Sequence, residues 1–232
     1  MGLVSSAKIA NMCGRYNVID SPCMRELFDT LGIKLYPDTR KNICPGGQGQ
    51  FVVEREGQRQ LLDGMWSALV QAKPDGSGYR PHPDFKTFNA RSDRLGSSKL
   101  WRRLYASQRT IVPASGWHEW RGKQCFELKP SEGALALGGL YQLYVFGNEV
   151  VPAYTIVACP PHPGLAHIHD NSLPLILQPA DFDAWLDPAW KHPEIFQSLM
   201  LPRLAVGLQV IPIDSPKTLV PMGQIEIVGS DR

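Results

Sequence analysis

Residues 110–128 read TIVPASGWHEWRGKQCFEL, and this stretch decides the fold. It contains three short runs, 110–113, 117–120 and 124–128, that are separated by Ala-Ser-Gly and Arg-Gly-Lys. Short runs with β-branched and aromatic residues, divided by glycine-containing connections, are typical of successive strands. The stretch therefore predicts a region built from short strands and tight turns.

The same pattern continues on both sides of this stretch. Residues 51–54 and 60–63 flank Glu56-Gly57 and predict a hairpin. Further strands are predicted at 86–90, 140–146, 154–158, 173–177 and 208–213. Strands therefore dominate the predicted elements.

Helices are predicted to be few and short. The clearest spans 21–32, where Ser21 is a suitable N-cap, Pro22 suits the first turn, the apolar residues recur at helical spacing and Gly32 follows the end. Three shorter helices are predicted at 98–105, 181–186 and 193–201. Because strands and helices do not alternate regularly, we expect an α+β protein with a mainly antiparallel sheet or a partly closed barrel and short flanking helices.

Composition places the chain among folded globular proteins. Of 232 residues, 43% are hydrophobic and 20% are charged, which argues against a disordered chain and predicts a single domain over residues 12–232. No run approaches the roughly 18 apolar residues of a membrane span, so no membrane partner is predicted. The five cysteines are odd in number and scattered, which favours a reducing cytoplasm over a disulfide framework.

Positive charge is concentrated in one part of the chain. Residues 86–123 carry nine Lys and Arg against two Asp and Glu, a net charge of +7 in a chain whose net charge is +2. A local excess of this size predicts an anion-binding face with phosphate as a natural ligand, although a solvated basic surface is the simpler alternative.

Five motifs in sequence order carry a family resemblance. They are Met12-Cys13-Gly14-Arg15-Tyr16, Asn42-Ile43-Cys44-Pro45, Asn89-Ala90-Arg91-Ser92-Asp93, Pro113-Ala114-Ser115-Gly116-Trp117-His118-Glu119-Trp120 and Ile168-His169-Asp170. Together they resemble the SOS-response-associated peptidase (SRAP) family from Met12 to about Leu177. The resemblance implies covalent capture of abasic sites in single-stranded DNA through an amino-terminal cysteine, and it implies Cys13, Asn89, Glu119 and His169 as the catalytic residues, with no metal and no cofactor.

The chemistry of Cys13 requires a free amino group. A terminal cysteine offers an amine and a thiol that can both bond to one aldehyde carbon and close a five-membered thiazolidine. An α-amine has a pKa of about 8 and a thiol a pKa of about 8.5, so both groups can react at neutral pH. Residues 1–11 are therefore predicted to be a leader that is absent from the active form, through translation from Met12, self-cleavage or a host protease.

Glu119 and His169 are the candidates for proton transfer. Strand alternation places Glu119 opposite to His118 and Trp120, and aromatic surroundings would raise the pKa of its carboxyl, while an ion pair with an arginine is the simpler interpretation. His169 follows Cys159, His162 and His167, a spacing that imitates a metal site. We nevertheless predict no metal, because prolines flank His162 and the resemblance gives His169 another role.

The predicted DNA-binding residues combine cations and aromatic rings. The resemblance implies that Asn89 orients the reacting groups and that Arg15 and Arg91 hold phosphates, for which a guanidinium is suited. The complete set is Arg15, Arg91, Arg94, Arg102, Arg103, Trp66 and Trp120, and Lys99 and Arg109 extend the same positive stretch.

The sequence also departs from the family pattern and leaves other functions open. After His169-Asp170 it reads Asn171-Ser172-Leu173 in place of the usual Arg-Met, and Trp66-Ser67 leads into an unusual loop. The expected protein is a monomeric abasic-site crosslinking enzyme with autopeptidase and possible lyase activity. The alternatives are a relative that binds single strands without chemistry and a thiol peptidase that cleaves other proteins.

Overall fold

The structure, a computed structural model, describes residues 14–190 and 192–231. The predictions for Cys13 and for the leader therefore lie outside the described residues. The strands are β1 (Tyr16–Val18), β2 (Arg40–Ile43), β3 (Gln48–Arg55), β4 (Gln58–Trp66), β5 (Val70–Ala72), β6 (Tyr79–Pro81), β7 (Asn89–Arg91), β8 (Arg109–Ala114), β9 (Gly116–Arg121), β10 (Gln124–Pro130), β11 (Leu135–Phe146), β12 (Glu149–Cys159), β13 (Leu173–Pro174), β14 (Ile176–Leu177), β15 (Leu208–Ile213) and β16 (Glu226–Val228). The α-helices are α1 (Pro22–Thr30), α2 (Lys99–Ser107) and α3 (Phe182–Leu186).

Five strands close a small barrel. The pairing runs β12, β4, β3, β8 and β11, and β11 pairs with β12 again to complete the ring. All of these pairs are antiparallel except β4 with β12. The prediction of a mainly antiparallel, partly closed barrel in a single α+β domain is confirmed.

Aromatic side chains fill one end of the barrel interior. The Tyr154 ring lies 5.0 Å from Phe51 and stacks on Trp66 with centroids 6.5 Å apart. Gly49 leaves room for this group, because a Cβ there would collide with the hydroxyls of Tyr154 and Tyr16. A glycine in the middle of a strand often marks this kind of close approach.

A second sheet packs beside the barrel and carries the residues of interest. Its strand order is β16, β15, β10, β9, β1 and β2. Tyr16 of β1 lies opposite Trp117 of β9, and its hydroxyl shares a 2.5 Å hydrogen bond with Tyr154 of the barrel. This buried contact joins the two sheets close to Gly14 and Arg15, the first described residues.

The helices agree with the sequence in position, and three local predictions need correction, the first being the strand predicted at 86–90, which is β7 at Asn89–Arg91. Ser21 caps α1 as expected, accepting a hydrogen bond from the Met24 amide at 3.2 Å. The predicted helix at 193–201 is a 3-10 helix, Pro193–Met200. The predicted strand at 173–177 is split into β13 and β14, because the chain passes at Leu175 from pairing with β12 to pairing with β11.

Within residues 14–190 and 192–231, no helix has the length and apolar character needed to cross a bilayer.

Candidate active site

Glu119 and His169 meet in the interior, although they lie 50 positions apart in the chain. Glu119 projects from β9 toward the core, and His169 follows the 3-10 helix Pro163–Leu165. The Nδ1 atom of His169 lies 3.2 Å from the Oε2 atom of Glu119, and the two residues are 7% and 3% exposed. The structure therefore pairs two of the residues that the sequence singled out.

Burial favours the neutral form of both groups. Desolvation raises the pKa of the Glu119 carboxyl well above its usual value, and a hydrogen bond from the side chain of Trp117 opposes this only in part. Desolvation also lowers the pKa of His169, against the opposing influence of Asp170. A neutral carboxyl can donate a proton and a neutral imidazole nitrogen can accept one, so the two side chains together can do both.

Two atoms of this pair remain available. Within the described part of the chain, Glu119 Oε1 and His169 Nε2 are buried and make no hydrogen bond. Buried polar atoms without partners are uncommon and cost free energy. Their presence on both members of one contacting pair is typical of a site that completes its hydrogen bonds with a ligand.

Strand pairing determines which residues before β1 lie beside this site. The His118 amide donates to the carbonyl of Arg15 at 2.9 Å, beside the Tyr16 to Trp117 pair. The same register, continued by two residues, predicts that the Gly14 backbone lies beside that of Glu119. The first described residue is then next to the strand that carries one member of the acid–base pair.

Asn42 holds the predicted phosphate ligand Arg15. Its Oδ1 atom accepts a hydrogen bond from Arg15 Nη1 at 2.5 Å, and its amide donates to Asn17 Oδ1 at 2.6 Å. Asn42 has a φ of 58°, a left-handed conformation that asparagine tolerates better than most residues. Sequence reasoning gave neither Asn17 nor Asn42 a role, although Asn42 stands in one of the quoted motifs.

Asn89 and Arg91 occupy β7, which pairs in parallel with β12. Asn89 is 4% exposed, whereas the Arg91 side chain is 64% exposed and holds Asp93 through two hydrogen bonds of 3.0 and 2.7 Å. Strand β7 thus presents a buried amide and a solvent-facing guanidinium within three residues.

The remaining predicted DNA-binding residues divide into exposed and buried. Arg94 and Arg102 are exposed, as is Arg103, which donates to Gln142 at 2.6 Å, and Trp120 beside Glu119 is 39% exposed. Trp66 is fully buried and its indole donates to the Phe88 carbonyl at 2.7 Å. The assignment of Trp66 to DNA is corrected here, because its ring stacks inside the barrel and offers no surface to a base.

Arg109 also differs from its expected position on a basic surface. It is 2% exposed, and its guanidinium donates to five backbone carbonyls, those of Trp185, Tyr105, Ala106, Asp187 and Trp190. Arg109 therefore joins α2 to the segment that includes α3, and it adds no charge to an exposed DNA face.

The histidines that imitate a metal site point to three different carboxylates. His162 contacts Asp231 at 3.1 Å, His167 contacts Glu226 at 2.8 Å, and His169 contacts Glu119. Cys159 is buried in β12, where desolvation raises the pKa of its thiol to about 12. Across residues 14–190 and 192–231, no three His, Cys, Asp or Glu side chains are grouped as metal ligands.

Fold and site together define a small barrel protein with a buried acid–base pair on a neighbouring sheet. The model of the SOS response associated peptidase (SRAP) family matches residues 12–216, so the chain belongs to this family. The abasic site processing protein YoaM of Bacillus subtilis is 27% identical over 219 residues, which cover 88% of this chain and 92% of that protein. The abasic site processing protein YedK of Escherichia coli is 25% identical over 155 residues, 65% of each chain.

Solved structures agree with this fold. A crystal structure of a Bordetella bronchiseptica protein matches with a TM-score of 0.68 and 20% identity, and it covers 88% of this chain and 100% of that one. A Bacteroides thetaiotaomicron structure matches with a TM-score of 0.59 and 19% identity over 84% of both chains.

Proposed function

We propose that this protein captures abasic sites in single-stranded DNA by forming a covalent bond through Cys13. The observation that carries the proposal is the contact between Glu119 and His169, which leaves one buried atom of each available where the chain enters at Gly14. Relatives named abasic site processing proteins supply the substrate class. Because the substrate is DNA, we expect this activity inside the cell.

The reaction needs proton transfer at each step but no oxidant or metal. The Cys13 amine adds to the aldehyde carbon of the opened sugar, and loss of one water gives an imine. The thiol sulfur then bonds to the same carbon and its proton goes to the nitrogen, which yields a thiazolidine. The Glu119–His169 pair can protonate the departing hydroxyl and accept the proton released by the amine.

Residues 1–11 and Met12 must all be absent for this chemistry, because an acylated nitrogen cannot form an imine. Self-cleavage is one route: the Cys13 thiol attacks the Met12 carbonyl carbon, the Met12–Cys13 amide bond breaks as its nitrogen takes up a proton, and water hydrolyses the resulting thioester, with the same acid–base pair assisting. Translation from Met12 followed by methionine removal gives the same product.

The single-strand preference rests on the exposed cations and ring around the site. We assign phosphate binding to half-buried Arg15 and exposed Arg91, and exposed Trp120 can stack an unpaired base. Such binding is salt-dependent, because each neutralised phosphate releases counterions.

Denaturing electrophoresis tests the proposal. A chain that begins at Cys13 retains every strand and helix described above, and we expect it to form a stable adduct with an abasic single-stranded oligonucleotide and none with the intact oligonucleotide. Salt-sensitive binding to both oligonucleotides without an adduct would instead favour the non-covalent alternative.

Replacing Glu119 with glutamine is expected to slow the reaction and stabilise the protein. Loss of the proton donor should reduce the crosslinking rate about 100-fold. Because burial raises the folded-state pKa of Glu119, the unfolded chain loses this proton first as pH rises above about 4.5, and the folded state is then penalised. The Glu119→Gln variant should therefore gain stability over wild type at pH 8 and show little gain at pH 4, as measured by urea unfolding.

Glu127 provides the matched control. It is a buried carboxylate on the adjacent strand, it lies opposite His118, and burial raises its pKa as well. Glu127→Gln should also stabilise the protein at pH 8, but it should leave the crosslinking rate unchanged. An equal rate loss in both variants would contradict the role given to Glu119.

A further inference from the structure

We propose that the C-terminal tail, defined as residues 226–231, holds the loop that carries His169 in its reactive position. This inference rests on the proposed function, because it assigns positioning residues for that reaction. The tail lies beyond residue 216, where the family match ends. Glu226 and Asp231 act through the loop and do not themselves touch the reacting atoms.

The first contact lies two residues before His169. The Nε2 atom of His167 lies 2.8 Å from the Oε2 atom of Glu226, and both side chains are about half exposed. An exposed pair of this kind contributes little to overall stability. Its consequence is local, because it fixes the loop immediately before His169.

The second contact fixes the start of the same loop. His162 Nδ1 accepts a hydrogen bond from the Gly164 amide at 3.1 Å, and its Nε2 atom lies 3.1 Å from a carboxylate oxygen of Asp231. Asp231 is itself held by Leu204, whose amide donates to its carboxylate at 2.8 Å and whose carbonyl accepts from its amide at 3.0 Å. The His162 side chain is only 13% exposed, which shields this contact from water.

The tail is anchored well enough to serve as a support. Strand β16 pairs with β15 in a regular antiparallel register, and Val228 packs against the main core. On the other side of the loop, Arg121 of β9 donates to the Ala166 carbonyl at 3.2 Å. The loop that carries His169 is therefore held between the strand that carries Glu119 and the tail.

Rate measurements on tail variants test this inference. In a chain that begins at Cys13, the double variant Glu226→Ala/Asp231→Ala should lower the crosslinking rate at saturating DNA about tenfold, because small displacements of a catalytic group are costly. The double variant Glu226→Gln/Asp231→Asn keeps hydrogen-bonding oxygens and should retain most of the rate. Loss of negative charge alone would strengthen DNA binding. A charge effect would therefore not produce the loss of crosslinking rate that is expected here.

A double-mutant comparison separates positioning from general damage. In a His169→Ala background, the same alanine pair should cause no further loss of rate, because the group that it positions is already gone. Glu132→Gln, which removes one exposed negative charge in the turn before β11 where the alanine pair removes two, is the control and should match wild type. An equal loss in both backgrounds, or a rate within twofold of wild type for the alanine pair, would overturn the proposal.

Hydrogen exchange gives a result that does not depend on the DNA chemistry. In the full chain, the alanine pair should speed amide exchange at Gly164, Ile168 and His169 by tenfold or more, while exchange in β9 stays unchanged. Unchanged exchange in the loop would refute the positioning role even if wild type crosslinks DNA. Faster exchange in a protein that forms no adduct would refute only the proposed function.

Discussion

A chain whose intact mass shows that a single extra residue remains ahead of Cys13 is expected to form no adduct with abasic DNA. The added residue converts the Cys13 amine to an amide, which cannot give the imine that precedes ring closure. The remaining thiol can add to an aldehyde only reversibly, and that product is lost on denaturation. Denaturing gels with an abasic oligonucleotide should therefore show at least a 100-fold loss of product.

Cys13→Ala separates the two nucleophiles of this residue. The variant keeps the α-amine and should form an imine, which borohydride traps but which disappears from a denaturing gel without reductant. In the extended chain the Cys13 nitrogen is an amide, so no imine forms at Cys13 with or without borohydride. Equal amounts of stable adduct from wild type, Cys13→Ala and the extended chain would remove Cys13 from the mechanism.

Replacing Arg109 with methionine is expected to cause the largest loss of stability of any substitution considered. The side chain is buried, donates to five carbonyls and lies 5.2 Å from the centre of the Phe196 ring. Methionine fills a similar volume but leaves those carbonyls without their donor, at a cost of about 3–5 kcal/mol. Urea unfolding should show this as a lower midpoint with a similar slope.

Arg102→Met provides the comparison on the same helix. Arg102 is exposed on α2, and its replacement should change stability by no more than about 0.5 kcal/mol while weakening DNA binding. If Arg109→Met were as stable as wild type and bound DNA more weakly, the buried structural role would be wrong and the surface role predicted from charge would be correct.

Local patterns predicted the strand that carries Glu119 but not which of its faces is buried. Alternation places Glu119 opposite His118 and Trp120, and the structure buries Glu119 and His118 alike. The contact of Glu119 with His169 joins distant parts of the chain, so only the family resemblance, and not strand spacing, could suggest that the two residues act together.

Counts of charged and aromatic residues did not predict which of these side chains are buried and which face solvent. Arg109 and Arg102 look alike in the sequence, but one lies between α2 and the α3 segment and the other faces solvent. Trp66 ends a strand that pairs in parallel with β12, a long-range pairing that short periodicity cannot reveal. The contact of Glu226 with the loop that carries His169 was also not predictable, because a single exposed carboxylate forms no recognisable sequence pattern.

Mass mapping of the purified adduct tests the covalent role of Cys13 most directly. After reaction with an abasic oligonucleotide and digestion of both components, we expect the modified peptide to begin at Cys13 and to carry the sugar remnant with the loss of one water. The Cys13 thiol should also be blocked against alkylation. A sugar remnant on a lysine, or a Cys13 that still alkylates freely in the adduct, would contradict thiazolidine formation.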